Sequence, residues 1–488
     1  MTHFNNDIEQ ITYQSPITVI DDIHPPRKAL SKPPSSWSSS AISSINNAFL
    51  HKVIIGILSP LTYLIVILSA GFYCYAYIND VWHQPIILSG LMLSITTDGL
   101  ILFLNLIQPR TKHTNLRFDP AKLTIVIICH NGEHVLQKTL RQALHHVPPK
   151  QLILVSDASV DKTETIAKSF GVRVFINSRN INKGLSINQV INRVFTPYVL
   201  VLDDDTRIGQ TFIPTSLLDD GWSAVAFRIM PLPYPSLVNK LQQFEYGKTI
   251  FFGKASRKSI GAVSNISGAI GLYRTDLLKL QARRHSGQHG GEDQQRTLFT
   301  YLHSFGRGVT YIESSAYTLV PNTWRALWRQ RSFKWSRSIQ ENFFLCWSII
   351  ASRHTPFLLK LEKSLQLFIF FTDPLRILLW WLILLNPLHL LTFYLFYLLL
   401  NTIAWRASRH ATSFFLILLM PLYGLFKCLC RFIAHFYWFK VKYDYLIKNH
   451  YHRLVPDRNL FFEYGTVSVV VLFLWAVAIQ RFFAVITG

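Results

Sequence analysis

Apolar residues fall along the chain in two kinds of run. Val53 to Ile78 and Pro85 to Ile107 are long and nearly free of charge. A helix needs about 20 apolar residues to cross a hydrocarbon layer of about 30 Å, so each run predicts a membrane span and the two together a hairpin. Their connection, Asn79 to Gln84, has no Lys or Arg, whereas Arg110, Lys112 and Arg117 follow the second run. Basic flanks stay on the cytosolic side, which puts the connection outside and everything from about Gln108 in the cytosol. Between Arg110 and Arg353 the runs are short: Leu123 to Cys129, Leu152 to Val155 and Tyr198 to Leu202, with helix-like stretches between them. This alternation predicts buried strands of a parallel sheet. Each run is followed at once by polar residues, His130-Asn131, Ser156-Asp157 and Asp203-Asp204-Asp205. Open parallel sheets bind ligands beyond the carboxyl ends of their strands, so these residues are the first candidate site.

The last third is hydrophobic again. Leu365 to Leu385 and Pro387 to Ala404 predict a second hairpin. Ala411 to Trp438 is also apolar, but Arg406 and Arg409 precede it, Arg431 lies within its last third, and Lys440, Lys442 and Lys448 follow it. A single crossing conflicts with basic flanks on both sides, so an interfacial or re-entrant segment is expected, with Val441 to Arg458 cytosolic and Gly465 to about Ile486 as a final span. The expectation is five spans, with six as the alternative. Residues 1–48, with Pro25-Pro26, Pro33-Pro34 and a Ser-rich run, read as a disordered cytosolic tail. The expected organisation is then the tail 1–48, a transmembrane hairpin 49–108, an α/β domain 109–323, interfacial or amphipathic helices 324–364, and transmembrane and interfacial helices 365–488.

Composition narrows the partners. Half of the 488 residues are hydrophobic and only 16% are charged, which excludes a wholly soluble or disordered protein. The net charge of +22 suits nucleic acid, anionic lipid or an anionic small substrate. No nucleic-acid-reading module is recognisable and the basic residues flank apolar blocks, so membrane lipid and an anionic substrate are the expected partners and nucleic acid is not. Five cysteines without a CxxC pair predict reduced thiols.

Several polar groups have the makings of chemistry. Asp203, Asp204 and Asp205 repel one another unless a cation intervenes, and Mg²⁺ or Mn²⁺ held by one or two carboxylates also binds substrate phosphate. Asp157 stands where a carboxylate accepts hydrogen bonds from a nucleotide or caps the next helix; for Asp161 the cap is the stronger reading. Lys183, in Asn182-Lys183-Gly184, precedes a helix expected over Leu185 to Val194, and reads either as a nucleotide or phosphate contact or as a solvated lysine. Gly291-Glu292-Asp293 opens a helix expected near Gln294, where carboxylates suit the dipole in any case. Asp293 is the candidate general base for an acceptor hydroxyl. His285 and His289 read as part of a glycine-rich loop rather than a metal site. Trp324 to Ser338 packs basic and aromatic residues into one stretch, suited to a membrane surface or to diphosphate and a sugar ring.

In this order, Asp157, Asn182-Lys183-Gly184, Asp203-Asp204-Asp205, the stretch Ser267 to Arg274, Gly291-Glu292-Asp293 and Lys334-Trp335 resemble the membrane-integrated processive glycosyltransferases of family 2, which include hyaluronan, chitin and cellulose synthases. The resemblance runs from about Leu50 to the C-terminus, and Ser267 to Arg274 is most similar to the hyaluronan and chitin synthase branch. It implies a cytosolic α/β GT-A glycosyltransferase domain inserted between N- and C-terminal transmembrane helices, a UDP-sugar donor, and an inverting reaction that extends a β-linked glycan. By position it implies that Asp157, Lys183 and Asp203 contact the nucleotide, that Asp205 with Asp203 holds Mg²⁺ or Mn²⁺, and that Asp293 is the base. It further implies that Lys334 or Arg331 meets the diphosphate, that Trp335 and Glu292 line the acceptor site, and that the C-terminal helices form a channel for the growing chain in the plasma (inner) membrane.

The match has departures. Lys334 replaces the Arg of the usual Gln-x-x-Arg-Trp motif and Arg331 stands at its Gln; Ser156 replaces the first Asp of the nucleotide motif. No Trp-Gly-Thr type gating loop follows the Ala411 to Trp438 block, so an accessory subunit is a further expected partner. The alternatives are transfer of one sugar to a polyprenyl lipid, and a transporter with a regulatory domain, which Asp98, Asp373 and Arg376 near apolar blocks suggest.

Overall fold

The computed structural model describes residues 18–19, 113, 115–258, 261–283, 291–304, 307–335, 342–353, 355–372, 387–407 and 412–448. The spans expected at Val53 to Ile78, Pro85 to Ile107 and Gly465 to Ile486, and the loop with His285 and His289, lie outside these residues.

Eight strands form one sheet: β1 (Thr18–Val19), β2 (Leu123–Cys129), β3 (Leu152–Ser156), β4 (Arg173–Ile176), β5 (Tyr198–Asp203), β6 (Trp222–Pro231), β7 (Ile270–Arg274) and β8 (Arg307–Thr318), in the order β1-β4-β3-β2-β5-β7-β6-β8. The sequence expectation of parallel strands holds for β4-β3-β2-β5. Then β7 runs antiparallel between β5 and β6, β8 pairs parallel to β6, and β1 pairs antiparallel to β4. The sheet is therefore mixed.

Every residue of β2 is buried, and its side chains alternate between the two faces as the period of a strand requires. Leu123, Ile125 and Ile127 join Leu136, Leu140 and Ala143 of α1 (Leu136–Ala143) and Ala167 of α2 (Thr163–Ser169). Val126 and Ile128 join the opposite layer, with Ile187 and Val190 of α3 (Asn182–Val190). Burying each such aliphatic chain contributes about 1.5–3 kcal/mol. The helix expected over Leu185 to Val194 thus starts earlier, at Asn182, and tightens into a 3₁₀ turn at Ile191–Arg193.

Further helices are α4 (Leu237–Ile250), α5 (Thr275–Ala282), α6 (Glu292–His303), α7 (Trp324–Gln330), α8 (Phe343–Ala351), α9 (Phe357–Thr372), α10 (Pro387–Ala407) and α11 (Leu416–Lys448). Cys346 and Ile349 of α8 and Leu359 and Leu367 of α9 pack into the same layer as α3. Residue 323 is accordingly no packing boundary: helices expected at the membrane surface complete the core of the α/β domain. Beyond it, α4, α7, α10 and α11 form their own cluster through Leu241, Phe244, Leu327, Trp405, Ile417 and Met420. The block expected to be interfacial or re-entrant is one unbroken helix from Leu416 to Lys448 that runs through Pro421. Its stretch Leu416–Ala434 alone among the described helices is long and apolar enough to cross a membrane, which is weak evidence taken by itself.

Candidate active site

The carboxyl ends of β2, β3 and β5 lie at one edge of the sheet, and the antiparallel β7 begins there. The Asp203 amide donates to the Ala269 carbonyl at 3.0 Å. Thr318, the last residue of β8, closes the edge: its Oγ1 donates to Asp205 Oδ1 at 3.1 Å. Lys183, in the first turn of α3, forms an ion pair with Asp203 and donates to the Gly268 carbonyl at 2.6 Å. From the other side Gly291, at φ +88°, turns the chain into α6, so that Glu292 and Asp293 stand in its first turn. Asp293 Oδ2 accepts from the Gly268 amide at 3.2 Å, and Oδ1 from the Gln294 amide at 2.8 Å. The peptide units at Gly268 are thereby held by Lys183 on one side and Asp293 on the other. A Cβ placed on Gly268 would lie 3.4 Å from Lys183 Nζ, 3.6 Å from Glu292 Oε1 and 3.7 Å from the Asp293 Cβ. Charged groups from three separate stretches of the chain, Lys183 with its partner Asp203 and the neighbours Glu292 and Asp293, thus meet around one glycine.

The electrostatics follow from burial. Burial works against the Lys183 ammonium, but Asp203 and Glu292 outweigh it and hold its pKa above the ordinary value, so Lys183 stays charged. Burial, with the Glu292 charge beside it, pushes Asp293 up to about 6. Burial, with Asp203 and Asp204 adjacent, likewise raises Asp205 to about 6. This edge therefore carries more negative charge than Lys183 balances. Among the described residues no three His, Cys, Asp or Glu side chains form a metal cage. Asp203 and Asp205 make a partial set of hard oxygen ligands, which fits Mg²⁺ or Mn²⁺ that completes its shell with phosphate and water. Asp204 faces elsewhere: the Cys129 thiol donates to its Oδ2 at 2.9 Å, directly above Gly132.

Asp157 lies buried at the end of β3. Its Oδ1 accepts from Asn177 Nδ2 and the Ile181 amide, and its Oδ2 from the Asn182 amide, each at 2.9 Å. It organises the loop into α3, and so places Lys183. Asp161 stands one residue before the N-cap of α2 and accepts from the Thr163 and Glu133 amides at 3.0 Å.

The basic and aromatic stretch splits in two. Thr323 caps α7, which passes into a π-helical turn over Arg331–Trp335; such turns frequently mark functional sites. Lys334 and Trp335 are exposed. Arg331 is not, which corrects its expected place at the diphosphate. It is buried, its Nη2 is 2.7 Å from Glu245 Oε2, and its Cζ lies 4.0 Å from the centre of the Trp335 ring. The charge of Arg331 is already balanced inside the protein. Tyr246 joins the two regions: its ring is 6.2 Å from that of Trp335, and it lies within electrostatic reach of Asp203 and Asp205.

Residues 124–277 match the model for glycosyl transferase family 2. The chain carries a family 2 glycosyltransferase domain. That match spans β2 to β7 with Asp157, Lys183, Asp203 and Gly268, and with the mixed sheet it makes the fold GT-A-like. Over 230 residues the chain is 26% identical to the poly-beta-1,6-N-acetyl-D-glucosamine synthase of Staphylococcus epidermidis, covering 45% of this chain and 55% of that protein. The corresponding figures for the synthase of Staphylococcus aureus (strain COL) are 27% over 229 residues, 45% and 55%. The chain thus matches about half the length of these curated relatives. Among solved structures, a mannosyltransferase from Pyrobaculum calidifontis in complex with GDP-Man and Mn²⁺ is similar at 15% identity and a TM-score of 0.46, over 74% of this chain and 98% of that one.

Three contributors to the site of this glycosyltransferase domain escaped the sequence reading. Thr318 pairs with Asp205 only because β8 ends beside β5. Gly268 lay within the recognised stretch Ser267 to Arg274, but nothing in its spacing marked it as the meeting point of Lys183 and Asp293. Glu245 left no readable signal: its neighbours on the helix face, Leu241, Gln242, Lys248 and Thr249, are mostly polar, so a carboxylate there does not stand out.

Proposed function

We propose that the chain is a membrane-embedded, processive, inverting β-glycosyltransferase that polymerises a UDP-sugar, UDP-N-acetylglucosamine foremost, and passes the glycan across the membrane. The observation that carries this reading is the convergence of Lys183, Asp203, Glu292 and Asp293 on Gly268 at the carboxyl ends of parallel strands. The family match, together with relatives that are poly-N-acetylglucosamine synthases, supports the donor and the polymeric product.

In this reading Asp157 sets the nucleotide end through its hold on the loop before α3, and the Lys183 ammonium keeps Asp203 oriented toward the diphosphate. Asp203 and Asp205 would hold Mg²⁺ or Mn²⁺, which would supply positive charge where the leaving diphosphate gains negative charge. Asp293 removes the proton of the acceptor hydroxyl as that oxygen bonds to the anomeric carbon, while the bond from that carbon to the diphosphate breaks and UDP departs. One displacement inverts the anomeric centre. Trp335 offers an aromatic face to the acceptor sugar, Glu292 lies beside it, and exposed Lys334 is the cation for the diphosphate in place of Arg331.

The exposed apolar side chains Leu418, Leu422 and Leu429 of α11, with Phe415 just before it, support contact with lipid. The test is incorporation from labelled UDP-sugars, singly and in pairs, by detergent-purified full-length protein with Mn²⁺, Mg²⁺ or EDTA, the products resolved by size. High-mass, EDTA-sensitive product from UDP-N-acetylglucosamine is expected. One short lipid-linked product would replace polymerisation with single transfer to a lipid.

A further inference from the structure

Between the glycosyltransferase domain and α11 lies a buried charge cluster that none of the roles above uses. Glu245, on α4, is its only carboxylate among the described residues. Its Oε2 accepts from Arg331 Nη2 and from the Tyr423 hydroxyl, each at 2.7 Å, and its Oε1 faces Lys427 Nζ at 3.4 Å. Arg331 belongs to the π-helical turn that ends in Trp335; Tyr423 and Lys427 belong to α11. Three elements therefore converge on one carboxyl group. Burial alone would raise the Glu245 pKa, but Arg331 and Lys427 outweigh it and hold it at about 2, so the group is ionised at every working pH.

Burying charge costs solvation, and well-packed apolar side chains would serve stability at least as well. Directional pairs do what an apolar contact does not: they fix one register between packed elements. Here the register has a visible consequence. Trp335 is 43% exposed, and its ring contacts among the described residues are the Arg331 guanidinium at 4.0 Å and Tyr246 at 6.2 Å. Arg331 is in turn oriented by Glu245. A guanidinium lying flat on an indole both attracts the ring and sets its plane. The same alignment runs on along α11, where Trp324 and Trp328 meet Phe426 at 5.2 and 5.8 Å and Phe333 meets Tyr437 at 4.7 Å.

We propose that Glu245 is a positioning residue for the acceptor: it anchors Arg331 beneath Trp335 and ties that aromatic wall to α11 through Tyr423 and Lys427. The inference rests on the glycosyltransferase reading, and it predicts a selective defect. Loss of the anchor loosens the wall that holds the acceptor sugar and leaves the donor edge, built on Lys183, Asp203 and Asp293, as it was.

The experiment uses full-length detergent-purified protein, with UDP-N-acetylglucosamine as donor and a β-1,6-linked N-acetylglucosamine oligomer as acceptor, each varied separately. For Glu245→Gln the acceptor KM rises about tenfold and products shorten, while the donor KM and acceptor-free hydrolysis of donor stay within about twofold of wild type. Glu245→Asp recovers part of the loss. Lys427→Met, at a position a quarter exposed and so tolerant of change, shifts the acceptor KM in the same direction and decides the matter should Glu245→Gln fail to fold. An acceptor KM and product length equal to wild type in active Glu245→Gln or Lys427→Met protein overturns the inference and leaves the glycosyltransferase reading intact. Equal changes in donor and acceptor KM also overturn it, as a merely structural role predicts. Absence of transfer by the wild-type chain from every nucleotide sugar overturns the reading itself, and the inference with it.

Discussion

Asp293 and Lys183 show how burial turns ordinary residues into chemical groups. Asp293 opens α6, where the dipole favours a carboxylate, yet burial and Glu292 lift its pKa to about 6. A base must be unprotonated to act, so kcat/KM is expected to rise with pH through about 6 and level off above 7, and a pH profile with saturating metal checks this. The linked stability runs the other way. The folded state binds this proton more tightly than the unfolded chain, so the contribution is complete below about pH 4 and is lost as pH rises through about 6. Asp293→Asn has one acceptor oxygen, so it can keep only one of the hydrogen bonds from Gly268 and Gln294, and it cannot take a proton; turnover is expected to fall by about 10² to 10⁴, with UDP binding retained in a titration. A loss below threefold would remove Asp293 from the role of base. These two residues were legible as candidates from their neighbours in sequence. Their joint grip on Gly268 was not, because contacts across 85 and 25 positions leave no local pattern.

Loops at the strand ends carry strain that their residue types only partly relieve. Asn131, Ala158 and Asn182 adopt φ of 54°, 56° and 71°, each beside the edge where the candidate site lies. Asn tolerates this region, but Ala does not, and the left-handed conformation costs a Cβ-bearing residue about 1–2 kcal/mol. Ala158→Gly is expected to raise unfolding stability by about 0.5–1 kcal/mol after the added backbone freedom of the unfolded chain is counted, measured by denaturant titration of the full chain in detergent. A destabilised variant would mean that the Ala158 methyl contributes packing that outweighs its strain. At Gly132 the opposite holds: a Cβ there would lie 2.3 Å from Cys129 Sγ and 2.6 Å from Asp204 Oδ2, so Gly132→Ala is expected to destabilise the chain in the same titration. The strands were readable because each is an unbroken apolar run ended by polar residues. The mixed sheet was not, since a run such as Ile270 to Arg274 looks alike in either direction.

At the largest scale α8 and α9 share the core of the α/β domain, and α4 links that core, through Ile250, to the second cluster that it forms with α7, α10 and α11. The negative charge left at Asp203 and Asp205 makes a dication an integral part of the working enzyme in the proposed reading. EDTA is therefore expected to abolish transfer and Mn²⁺ or Mg²⁺ to restore it, and Asp205→Asn to weaken metal binding, read as a rightward shift of the activation curve. Transfer that persists in EDTA would remove the metal from Asp203 and Asp205. The apolar face of α11 with Leu418, Leu422 and Leu429 exposed is expected to keep the chain in the pellet on alkaline carbonate extraction of membranes. Release into the supernatant would count against an embedded helix.

Hydrophobic periodicity, the polar residues at strand ends and the order of the acidic motifs are local properties, and they sufficed for the α/β class, the strands β2, β3 and β5, the candidate carboxylates and the early α6. Direction of β7, the place of α8 and α9 in the core, the unbroken course of α11 and the burial of Arg331 against Glu245 depend on which distant segments share space. The Arg331 case shows why. A basic residue in an aromatic stretch suits a diphosphate and a buried carboxylate equally, and the choice falls to a glutamate 86 positions earlier that reaches it only when α4 and α7 pack together.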